Sequence, residues 1–391
     1  MTPLSAIKVL AVEIGAAGPW CSRMLADMGA EVVKIEPLSG DLTRHWDGAC
    51  RGLSAAHVFL NRNKKSLTLN LKSDEGREIF LKLAAEADVI IENFKPGVVA
   101  RLGIDYEAVR AVKPDIIYGH ISGFGQDGPY RDQKAYDMII QGEAGYILMT
   151  GTEEAPAKIP VSICDETAGF YAALGLLGLL NRRHESGEGG EFEVSMLECA
   201  ATLLGYAPHF LWHRGEEPLR TGLRHGLLTP YGPYKAGDDL WFSLAVLSEA
   251  AWRKLCEEVV EAPELFADAR YKDNESRIAN RAALEGRLVE LFMAEPKAEW
   301  LTRLRAAGIP CGGVNTLGEV LEHPQLKARG AIGELSSSVG PLKEFLSPIR
   351  ISGEAPVFDH LPDLGEHSEE ILQALGYDAP ARARLKDSGV V

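Results

Sequence analysis

The sequence has 391 residues, with 41 Lys and Arg against 56 Asp and Glu, so its formal net charge is −15 at pH 7. A hydrophobic content of 46% with 25% charged residues is typical of a globular protein and excludes a disordered one. The acidic balance argues against a nucleic-acid binder and against docking on anionic membranes, and the length predicts two or three domains.

Neither a secretory leader nor a membrane-spanning helix is predicted. The N-terminal stretch lacks a basic region followed by an apolar one, and the longest apolar run, Ala168 to Leu180, has 13 residues. A span needs roughly 18. The six cysteines are scattered without a CxxC pair, so neither a disulfide framework nor a zinc ribbon is indicated. We therefore expect a cytoplasmic protein with no bound metal.

The first 120 residues alternate between short β-branched runs and helical patterns. Helices are predicted at Pro19–Met28 and Asp74–Glu86. Strands are predicted at Lys8–Glu13, Glu31–Glu36, Asp88–Asn93 and Asp115–Ile121. Because strands separated by helices indicate a parallel sheet with crossover connections, the sequence predicts an open, Rossmann-like α/β sheet.

The character of the chain changes in its second half. A long apolar helix is predicted at Asp165–Arg183 and a strand at Glu191–Met196, and Gly, Pro, Tyr and Arg become frequent near residue 215. We therefore predict the N-terminal part of a large α/β domain over 1–213, and a connecting segment with a small α+β domain over 214–324. Residues 325–391 form a weakly periodic C-terminal segment.

Two motifs carry weak signals. Gly123–Gly128 (GFGQDG) matches the GxGxxG pattern of dinucleotide sites, but Pro129 follows at once, so a glycine-rich loop is the better interpretation. His209 and His213 have the spacing of a metal pair on a helix, yet the Glu of HExxH and a third ligand are not evident. We interpret them as ordinary helix histidines.

Two other features suit an anionic ligand. Gly15–Gly18 (GAAG) follows the first strand, where it either brings a ligand close to the backbone or only connects strand to helix. Residues 48–73, here called the basic window, contain no acidic residue. Their cations are Arg51, Arg62, Lys64, Lys65 and Lys72. The basic window fits either a small ligand with several phosphates or a solvated surface.

Asp165 directly precedes the apolar run of the long predicted helix. Asp at such a position is usually the N-cap, whose carboxylate accepts hydrogen bonds from backbone N–H groups. The same place suits an anionic nucleophile, because a helix N-terminus keeps a carboxylate ionised and offers N–H groups to a developing oxyanion. The pattern alone leaves both interpretations open.

Six motifs follow one another along the chain: AVEIGAAGPW, EVVKIEPLSGD, NRNKKSLTLNLKSDEG, IENFKPG, ISGFGQDGPY and the helix headed by Asp165. In this order they resemble the class III CoA-transferases, the family of formyl-CoA transferase and α-methylacyl-CoA racemase. The resemblance is strongest over residues 8–200. It implies a large open α/β domain, a small domain, a C-terminal segment that returns to the large domain, and two chains interlocked as a homodimer.

The resemblance also implies the residues of a CoA site. Asp165 is the implied nucleophile, and CoA is a substrate and not a permanent cofactor. The implied contacts to CoA are Ala16, Ala17, Leu69, Lys72, Asn93, Phe94, Arg101, Lys134, Tyr136 and Asp137. The implied partners are an acyl-CoA and a carboxylic acid, and the basic window falls where the family binds the nucleotide end of CoA.

One departure from the family's pattern bears on the reaction. Racemase relatives carry Gly-His-Asp where this chain has Ala135, Tyr136 and Asp137, and their His and Asp transfer protons at the α-carbon. The pKa of an unperturbed tyrosine lies near 10, so Tyr136 is a poor replacement and CoA transfer is favoured over racemisation. An acyl-CoA racemase and a nucleotide-binding oxidoreductase are the alternatives.

The segment Arg224–Tyr234 (RHGLLTPYGPY) stands where formyl-CoA transferase has a glycine-run loop. It resembles the segment in relatives that handle succinyl, mesaconyl, itaconyl or citramalyl groups, which implies a dicarboxylic acid of four or five carbons with succinyl-CoA as the donor. A second carboxylate needs a cationic partner, for which Arg44, Arg224 and His225 are the candidates. The alternative is that the two arginines lie on the surface.

Overall fold

The computed structural model describes residues 2–218 and 220–391, which divide into two compact units. Unit 1 comprises residues 2–145, 159–205 and 328–391. Unit 2 comprises residues 146–158 and, apart from Leu219, residues 206–327. From residue 328 the C-terminal segment therefore belongs to unit 1, whereas residues 146–158 and 206–213, which lie inside the predicted range 1–213, belong to unit 2.

Unit 1 is built around a parallel sheet whose strands lie in the order β3-β2-β1-β4-β5-β6. These strands are β1 (Lys8–Val12), β2 (Glu31–Glu36), β3 (Lys64–Thr68), β4 (Val89–Glu92), β5 (Ile117–Ser122) and β6 (Gly190–Ser195). In the register of the sheet, Ala11 pairs with Lys34 on one side and with Ile91 on the other. This order is that of a doubly wound Rossmann sheet, so the predicted fold class is confirmed.

Helices connect the strands and bury their apolar faces. Up to residue 205 they are α1 (Ala17–Asp27), α2 (Ala55–Asn61), α3 (Asp74–Glu86), α4 (Val98–Leu102), α5 (Tyr106–Arg110), α6 (Asp137–Glu143), α7 (Tyr146–Met149, in unit 2), α8 (Ile163–Ser186) and α9 (Met196–Thr202), with a 3₁₀ turn at Leu42–His45. Ile79 and Phe80 of α3 share one core with Ile90 of β4. The strands β1 and β4 are almost fully buried, as expected when helices cover both faces of a parallel sheet.

The helix α8 is the long apolar helix predicted from the sequence, extended at both ends. Its length and composition would allow it to cross a membrane, but Ala168, Ala172 and Leu176 are buried where it packs on α1 and β5. A Cβ atom at Gly169 would lie 2.9 Å from the carbonyl oxygen of Ala17. Glycine therefore permits the close approach of α8 to the start of α1.

Unit 2 has an antiparallel sheet in the order β7-β8-β9 and a group of short helices. Its elements are α10 (Ala207–Arg214), β7 (Tyr231–Lys235), β8 (Trp241–Ala245), α11 (Glu249–Lys254), a π turn (Leu255–Val259), α12 (Pro263–Ala267), a 3₁₀ turn (Ala269–Tyr271), α13 (Asn274–Ala279), α14 (Arg281–Phe292), α15 (Lys297–Ala306), β9 (Cys311–Gly313), α16 (Leu317–Leu321) and α17 (Pro324–Ala328). Aromatic side chains dominate its core, in which Phe292 packs edge-on against Phe242 and Trp300.

The C-terminal segment packs on unit 1 through a hairpin and two helices. They are β10 (Ile332–Leu335), β11 (Leu342–Phe345), α18 (Ser368–Ala374) and α19 (Ala379–Asp387). Leu335 and Leu342 share an apolar cluster with Val58 of α2. Leu372 and Leu385 join the main core of the parallel sheet. The tail thus completes the core of unit 1 although its sequence is only weakly periodic.

Candidate active site

A cleft of about 300 Å³ opens in unit 1 at the carboxyl ends of the parallel strands. The strands β1 and β4 lie side by side, but the chain continues from β1 to β2 on one side and from β4 to β5 on the other. Ligands of open α/β sheets bind at such a switch point. The lining comes mainly from residues that follow strands: Ile14–Ala17 after β1, Asn93–Pro96 after β4, Ser122 and Gly123 at the end of β5, and Met196 after β6, together with Lys134–Tyr136 and Asp165.

The turn after β1 brings the backbone to the cleft. Gly15 has φ of +70°, a conformation that favours glycine. The amide of Asn93 holds this turn, because its Oδ1 accepts from Ile14 N–H at 2.8 Å and its Nδ2 donates to Ile14 O at 2.7 Å. A Cβ at Gly18 would lie 3.0 Å from Asn93 Cγ. The small residues of GAAG therefore permit close packing of two strand ends, and Ala16 and Ala17 line the cleft.

The helix α1 begins at this turn without a capping side chain. Its N-cap residue is Ala16, which has no polar atom beyond the backbone. The N–H groups at the start of a helix carry partial positive charge. The first turn of α1 therefore offers the cleft a place for an anionic or developing negative group.

Buried ion pairs lie next to the turn that follows β1. Lys34 Nζ lies 2.7 Å from Asp41 Oδ2, and Lys64 Nζ lies 2.8 Å from Glu13 Oε1. Burial lowers the pKa of Lys64 to about 8, and the charge of Glu13 opposes this shift. Asp41 also accepts from the N–H of Thr43 at 2.8 Å. Removal of one partner from a buried ion pair is strongly destabilising. These residues therefore maintain the shape of the cleft.

Asp165 lines the cleft from the first turn of α8, but it is not the N-cap. Ser162 occupies the N-cap position, and Asp165 is the third residue of the helix. The N-cap interpretation is therefore wrong. Burial, and then the charges of Asp137 and Glu166, raise the pKa of Asp165 to about 7. The expectation that this carboxylate is kept ionised is not met, because burial and two neighbouring carboxylates disfavour its charged form.

The start of α8 is capped by a distant side chain. Ser162 makes no side-chain capping bond, and Asp137 Oδ1 instead accepts from the N–H of Cys164 at 2.8 Å. Asp137 Oδ2 accepts from Gln141 Nε2 at 2.6 Å. Asp137 and Gln141 both belong to α6, so α6 supports the turn that carries Asp165.

The residues predicted to contact CoA occupy several environments. Six of them line the cleft: Ala16, Ala17, Asn93, Phe94, Lys134 and Tyr136. Among the described residues, the lining does not include Leu69, Lys72, Arg101 or Asp137. The side chain of Leu69 is buried in the core, whereas Lys72 and Arg101 are exposed. Their roles as CoA contacts stay predictions.

The basic window contains two buried cations, Arg62 and Lys64, whereas Arg51 and Lys72 are exposed. Arg62 is fully buried and pairs with Asp27, Lys64 pairs with Glu13, and Lys65 bonds to Glu370 at 3.0 Å. The sequence did not show these pairs because each partner lies far away along the chain. Both interpretations, phosphate site and solvated face, are therefore wrong for the buried Arg62 and Lys64, whereas Lys65 forms its ion pairs at the surface of unit 1.

The three candidates for binding a second carboxylate already have partners. Arg44 donates to Glu36 through two nitrogens, at 2.8 and 2.7 Å. Burial raises the pKa of Glu36, but Arg44 and Lys34 together lower it to about 2. Arg224 pairs with Glu285 at 3.1 Å, within unit 2. His225, also in unit 2, stacks on Tyr231 with ring centroids 4.7 Å apart. Each of the three side chains therefore contacts other residues of its own unit.

Sequence reasoning missed several residues that line the cleft. The loop after β2 contributes Leu42 and Trp46 in place of Arg44, and the loop after β5 contributes Arg131 and Gln133. The side chain of Trp46 is 57% exposed, which is unusual for so large an apolar group. The available signal was positional, because loops after parallel strands converge on the switch point.

The weak motifs have structural roles. No helix begins at Gly123–Gly128, as a dinucleotide site requires, and the next helix is α6. A Cβ at Gly123 would lie 2.1 Å from that of Ala135, so Gly123 allows the segment before α6 to pack closely. His209 and His213 stack with ring centroids 5.8 Å apart. Within residues 2–218 and 220–391, no three His, Cys, Asp or Glu side chains form a group able to hold a metal.

Comparison with known proteins gives one consistent result. The model of CoA-transferase family III matches residues 4–368. The succinate–glutarate CoA-transferase of Agrobacterium fabrum is 34% identical over 386 residues, covering 95% of this chain and 96% of its own.

Two further relatives also match most of the chain. The acetyl-CoA:oxalate CoA-transferase of Acetobacter aceti is 35% identical and covers 86% of each chain. A CAIB/BAIF family protein from Brucella suis has a crystal structure with a TM-score of 0.86 and 35% identity, covering 96% of this chain and 99% of that one. The family resemblance of the six ordered motifs is confirmed, and this chain belongs to CoA-transferase family III.

Proposed function

We propose that this class III CoA-transferase uses Asp165 as its nucleophile and transfers CoA between succinyl-CoA and a dicarboxylic acid of four or five carbons. The observation that carries the proposal is the position of Asp165, the acidic side chain that lines the cleft at the switch point of the sheet. The relative that acts on succinate and glutarate matches nearly the whole chain. It supports the size of the acid.

The proposed reaction proceeds through covalent steps at Asp165. Its carboxylate attacks the thioester carbonyl of the donor, the C–S bond breaks, and CoA thiolate leaves a mixed anhydride on the enzyme. The thiolate then attacks the aspartyl carbonyl, which releases the donor acid and forms an aspartyl-CoA thioester. The acceptor carboxylate reverses these two steps and restores Asp165. Each step is easier than direct exchange between acid and thioester.

Only the ionised form of Asp165 can begin this sequence. Because its pKa is raised to about 7, the carboxylate is a stronger base than an ordinary aspartate and is partly protonated at neutral pH. The uncapped start of α1, with Ala16 and Ala17 in the lining, is placed to stabilise the oxyanion that forms on attack. Activity is therefore expected to rise with pH through about 7.

We propose that CoA approaches along the strand ends. Ala16, Ala17, Asn93, Phe94, Lys134 and Tyr136 line the cleft and are its nearest contacts, with Lys95 and Arg131 adding positive charge beside them. Lys72 and Arg101, exposed on the same unit, are proposed to bind phosphates at the nucleotide end. Leu69 is proposed to contribute only through its backbone, because its side chain is buried.

We also propose that the protein is a cytoplasmic homodimer with an interlocked contact. The helices α6 and α8 expose large apolar side chains, namely Met138, Ile139, Phe170 and Leu174. Several large apolar side chains exposed on neighbouring helices are typical of a protein–protein interface. The interlocked arrangement is proposed from the family resemblance.

Replacement of the nucleophile tests the proposed chemistry. The Asp165→Ala variant is expected to lose more than a thousandfold of its transfer activity while still binding CoA, because the covalent path is removed. The matched control is Asp378→Asn, which alters a carboxylate at the N-cap of α19. Retention of near-normal turnover in the Asp165→Ala variant would exclude covalent catalysis at this residue.

A panel of acceptors tests the proposed substrate class. With succinyl-CoA as donor, itaconate, mesaconate, citramalate and malate should be preferred over acetate, butyrate, formate and oxalate. The proposal requires a cationic group that pairs with the second carboxylate, and a monocarboxylate would leave that group without this partner. Preference for oxalate, the substrate of one relative, or for any monocarboxylate would overturn this part of the proposal.

A further inference from the structure

We infer that Asp137 and Gln141 are positioning residues, which hold the first turn of α8 so that the Asp165 carboxylate faces the thioester. This inference deepens the proposed function and rests on the role of Asp165 as nucleophile. It differs from the role that the family resemblance implies for Asp137, namely contact with CoA.

The first turn of α8 depends on Asp137. The helix begins at Ile163, and the side chain of its N-cap residue Ser162 makes no capping bond. The N–H of Cys164, next to Asp165 in the chain, donates instead to Asp137 Oδ1 at 2.8 Å. A carboxylate at a helix N-terminus is favoured by the helix dipole as well as by the hydrogen bond. The backbone on one side of Asp165 is thus held by a residue of another helix.

Gln141 fixes the direction of the Asp137 carboxylate. Its side chain is 0% exposed, and its Nε2 donates to Asp137 Oδ2 at 2.6 Å. The same amide accepts from Ile159 N–H at 2.9 Å and donates to Ile159 O at 3.2 Å. Gln141 therefore ties together α6, the segment that enters α8, and the carboxylate that caps α8.

The bonding of Asp137 disfavours direct contact with CoA. Both of its oxygens already accept hydrogen bonds from the protein, one from Cys164 and one from Gln141. Its neighbours Lys134, Ala135 and Tyr136 line the cleft, whereas Asp137, among the described residues, is not part of the lining. Its carboxylate contacts the first turn of α8 and Gln141.

The charge of Asp137 has a second effect on Asp165. Gln141 is neutral, so it orients Asp137 without cancelling its negative charge, and that charge, after burial, raises the pKa of Asp165. Two acidic groups act on Asp165, namely Glu166 on its own helix and Asp137 on α6. Arg23 on α1 lowers the pKa of Glu166. The cations that line the cleft are Lys95, Arg131 and Lys134. Asp137 is the group that both positions the nucleophile and strengthens it as a base.

Two variants separate position from charge. Asp137→Asn removes the charge and keeps an oxygen for the N–H of Cys164, but its amide nitrogen cannot accept from Gln141 Nε2. Gln141→Leu breaks the same bond and keeps the charge, so the difference between the two variants reports the charge. The measurement is the pH dependence of kcat/KM and kcat for transfer from succinyl-CoA, with circular dichroism to confirm folding. Asp378→Asn, the same change at a remote helix cap, is the control.

The inference predicts different results for the two variants. In Asp137→Asn the acid limb of the kcat/KM profile moves to lower pH by about one unit or more, because a neighbouring negative charge is lost. In Gln141→Leu the limb stays in place while kcat falls by about 10- to 100-fold, as expected when a reacting group is displaced. KM for the acyl-CoA stays nearly constant in both.

Two outcomes would overturn the inference. An acid limb that does not move in Asp137→Asn would show that Asp137 does not act on Asp165. A rise in KM with unchanged kcat in either variant would instead assign these residues to substrate binding. If Asp165→Ala remains active, the proposed nucleophile itself fails, and this result is independent of both outcomes.

Discussion

At the scale of single residues, the raised pKa of Asp165 lowers the stability of the folded protein and makes the carboxylate a stronger base. Its pKa in the folded protein is raised to about 7, above the value near 4 of an unfolded aspartate. The folded state therefore resists ionisation of this group. The resulting destabilisation is absent below pH 4, grows between pH 4 and 7, and is constant above pH 7.

This reasoning predicts that Asp165→Asn is more stable than the native protein at pH 8. At about 1.4 kcal/mol per pKa unit, the upper limit of the gain is about 4 kcal/mol, and it should be smaller at pH 5. Urea unfolding at the two pH values measures the difference. Equal effects of the substitution at pH 5 and pH 8 would contradict the raised pKa, whatever happens to activity.

Arg44 gives a second prediction at this scale. Glu36 is fully buried and bonds to Arg44 through both of its oxygens. The Arg44→Ala variant should lose about 3–5 kcal/mol in the free energy of unfolding, because the buried carboxylate of Glu36 loses the cation that is bonded to both of its oxygens. Arg77→Ala, which breaks an exposed pair with Asp74, is the control and should lose at most about 1 kcal/mol.

The same variant tests the earlier hypothesis for Arg44. If Arg44 serves the fold, the enzyme that remains folded will keep its preference among acceptor acids. A change in that preference without loss of stability would return Arg44 to the acyl-binding site.

At the scale of elements, the sequence predicted those whose pattern is local. The helix α3 has the predicted bounds Asp74–Glu86, and β2 has the predicted bounds Glu31–Glu36. Both combine a regular apolar period with clear ends, and Ser73 caps α3 by accepting from the N–H of Gly76. Where local propensity and burial agree, the pattern is sufficient.

The strand β3 shows why other elements were missed. Its sequence KKSLT reads as part of a charged surface, yet Lys64 and Ser66 are buried. Lys64 is satisfied by Glu13 and by the carbonyl of Pro19, and Ser66 donates to Glu36. A buried lysine is tolerated only with such partners, which are defined by the fold and not by neighbouring sequence.

The candidate site shows the same division. The family resemblance of the ordered motifs implies Asp165 and the strand-end residues Ala16, Ala17 and Asn93, all of which line the cleft. The support of Asp165 by Asp137 was not, since the two residues lie on different helices and the pattern favours a local cap. Partners of buried polar groups are decided by tertiary structure.

The elements that carry exposed cations supply a test of CoA binding. Lys72 lies in the turn between β3 and α3, and Arg101 lies in α4. Lys72→Ala or Arg101→Ala should raise KM for the CoA ester more than it lowers kcat, and binding should weaken with salt. Arg77→Ala, an exposed cation already paired with Asp74, is the control. Unchanged, salt-independent binding in both variants would remove these assignments.

At the scale of the whole molecule, the proposed homodimer explains the apolar surface of α8. Sedimentation at micromolar concentration is expected to give about twice the 42.5 kDa of one chain. Leu174→Glu, at a side chain that is 66% exposed on α8, should weaken the dimer, because it places a charge in the interface. Val112→Glu, at another exposed apolar residue of unit 1, is the control. A native protein that sediments as a 42.5 kDa monomer would contradict the proposed dimer.

The central claim is that Asp165 becomes covalently attached to CoA during transfer. Intact-protein mass spectrometry after incubation with succinyl-CoA tests it most directly, with hydroxylamine added to trap the activated aspartyl group as a hydroxamate. The account predicts a species heavier by CoA less one water, and a hydroxamate that maps to Asp165 and is absent from Asp165→Ala. An active enzyme that shows neither the adduct nor the hydroxamate, or one that carries them at another residue, would contradict the account.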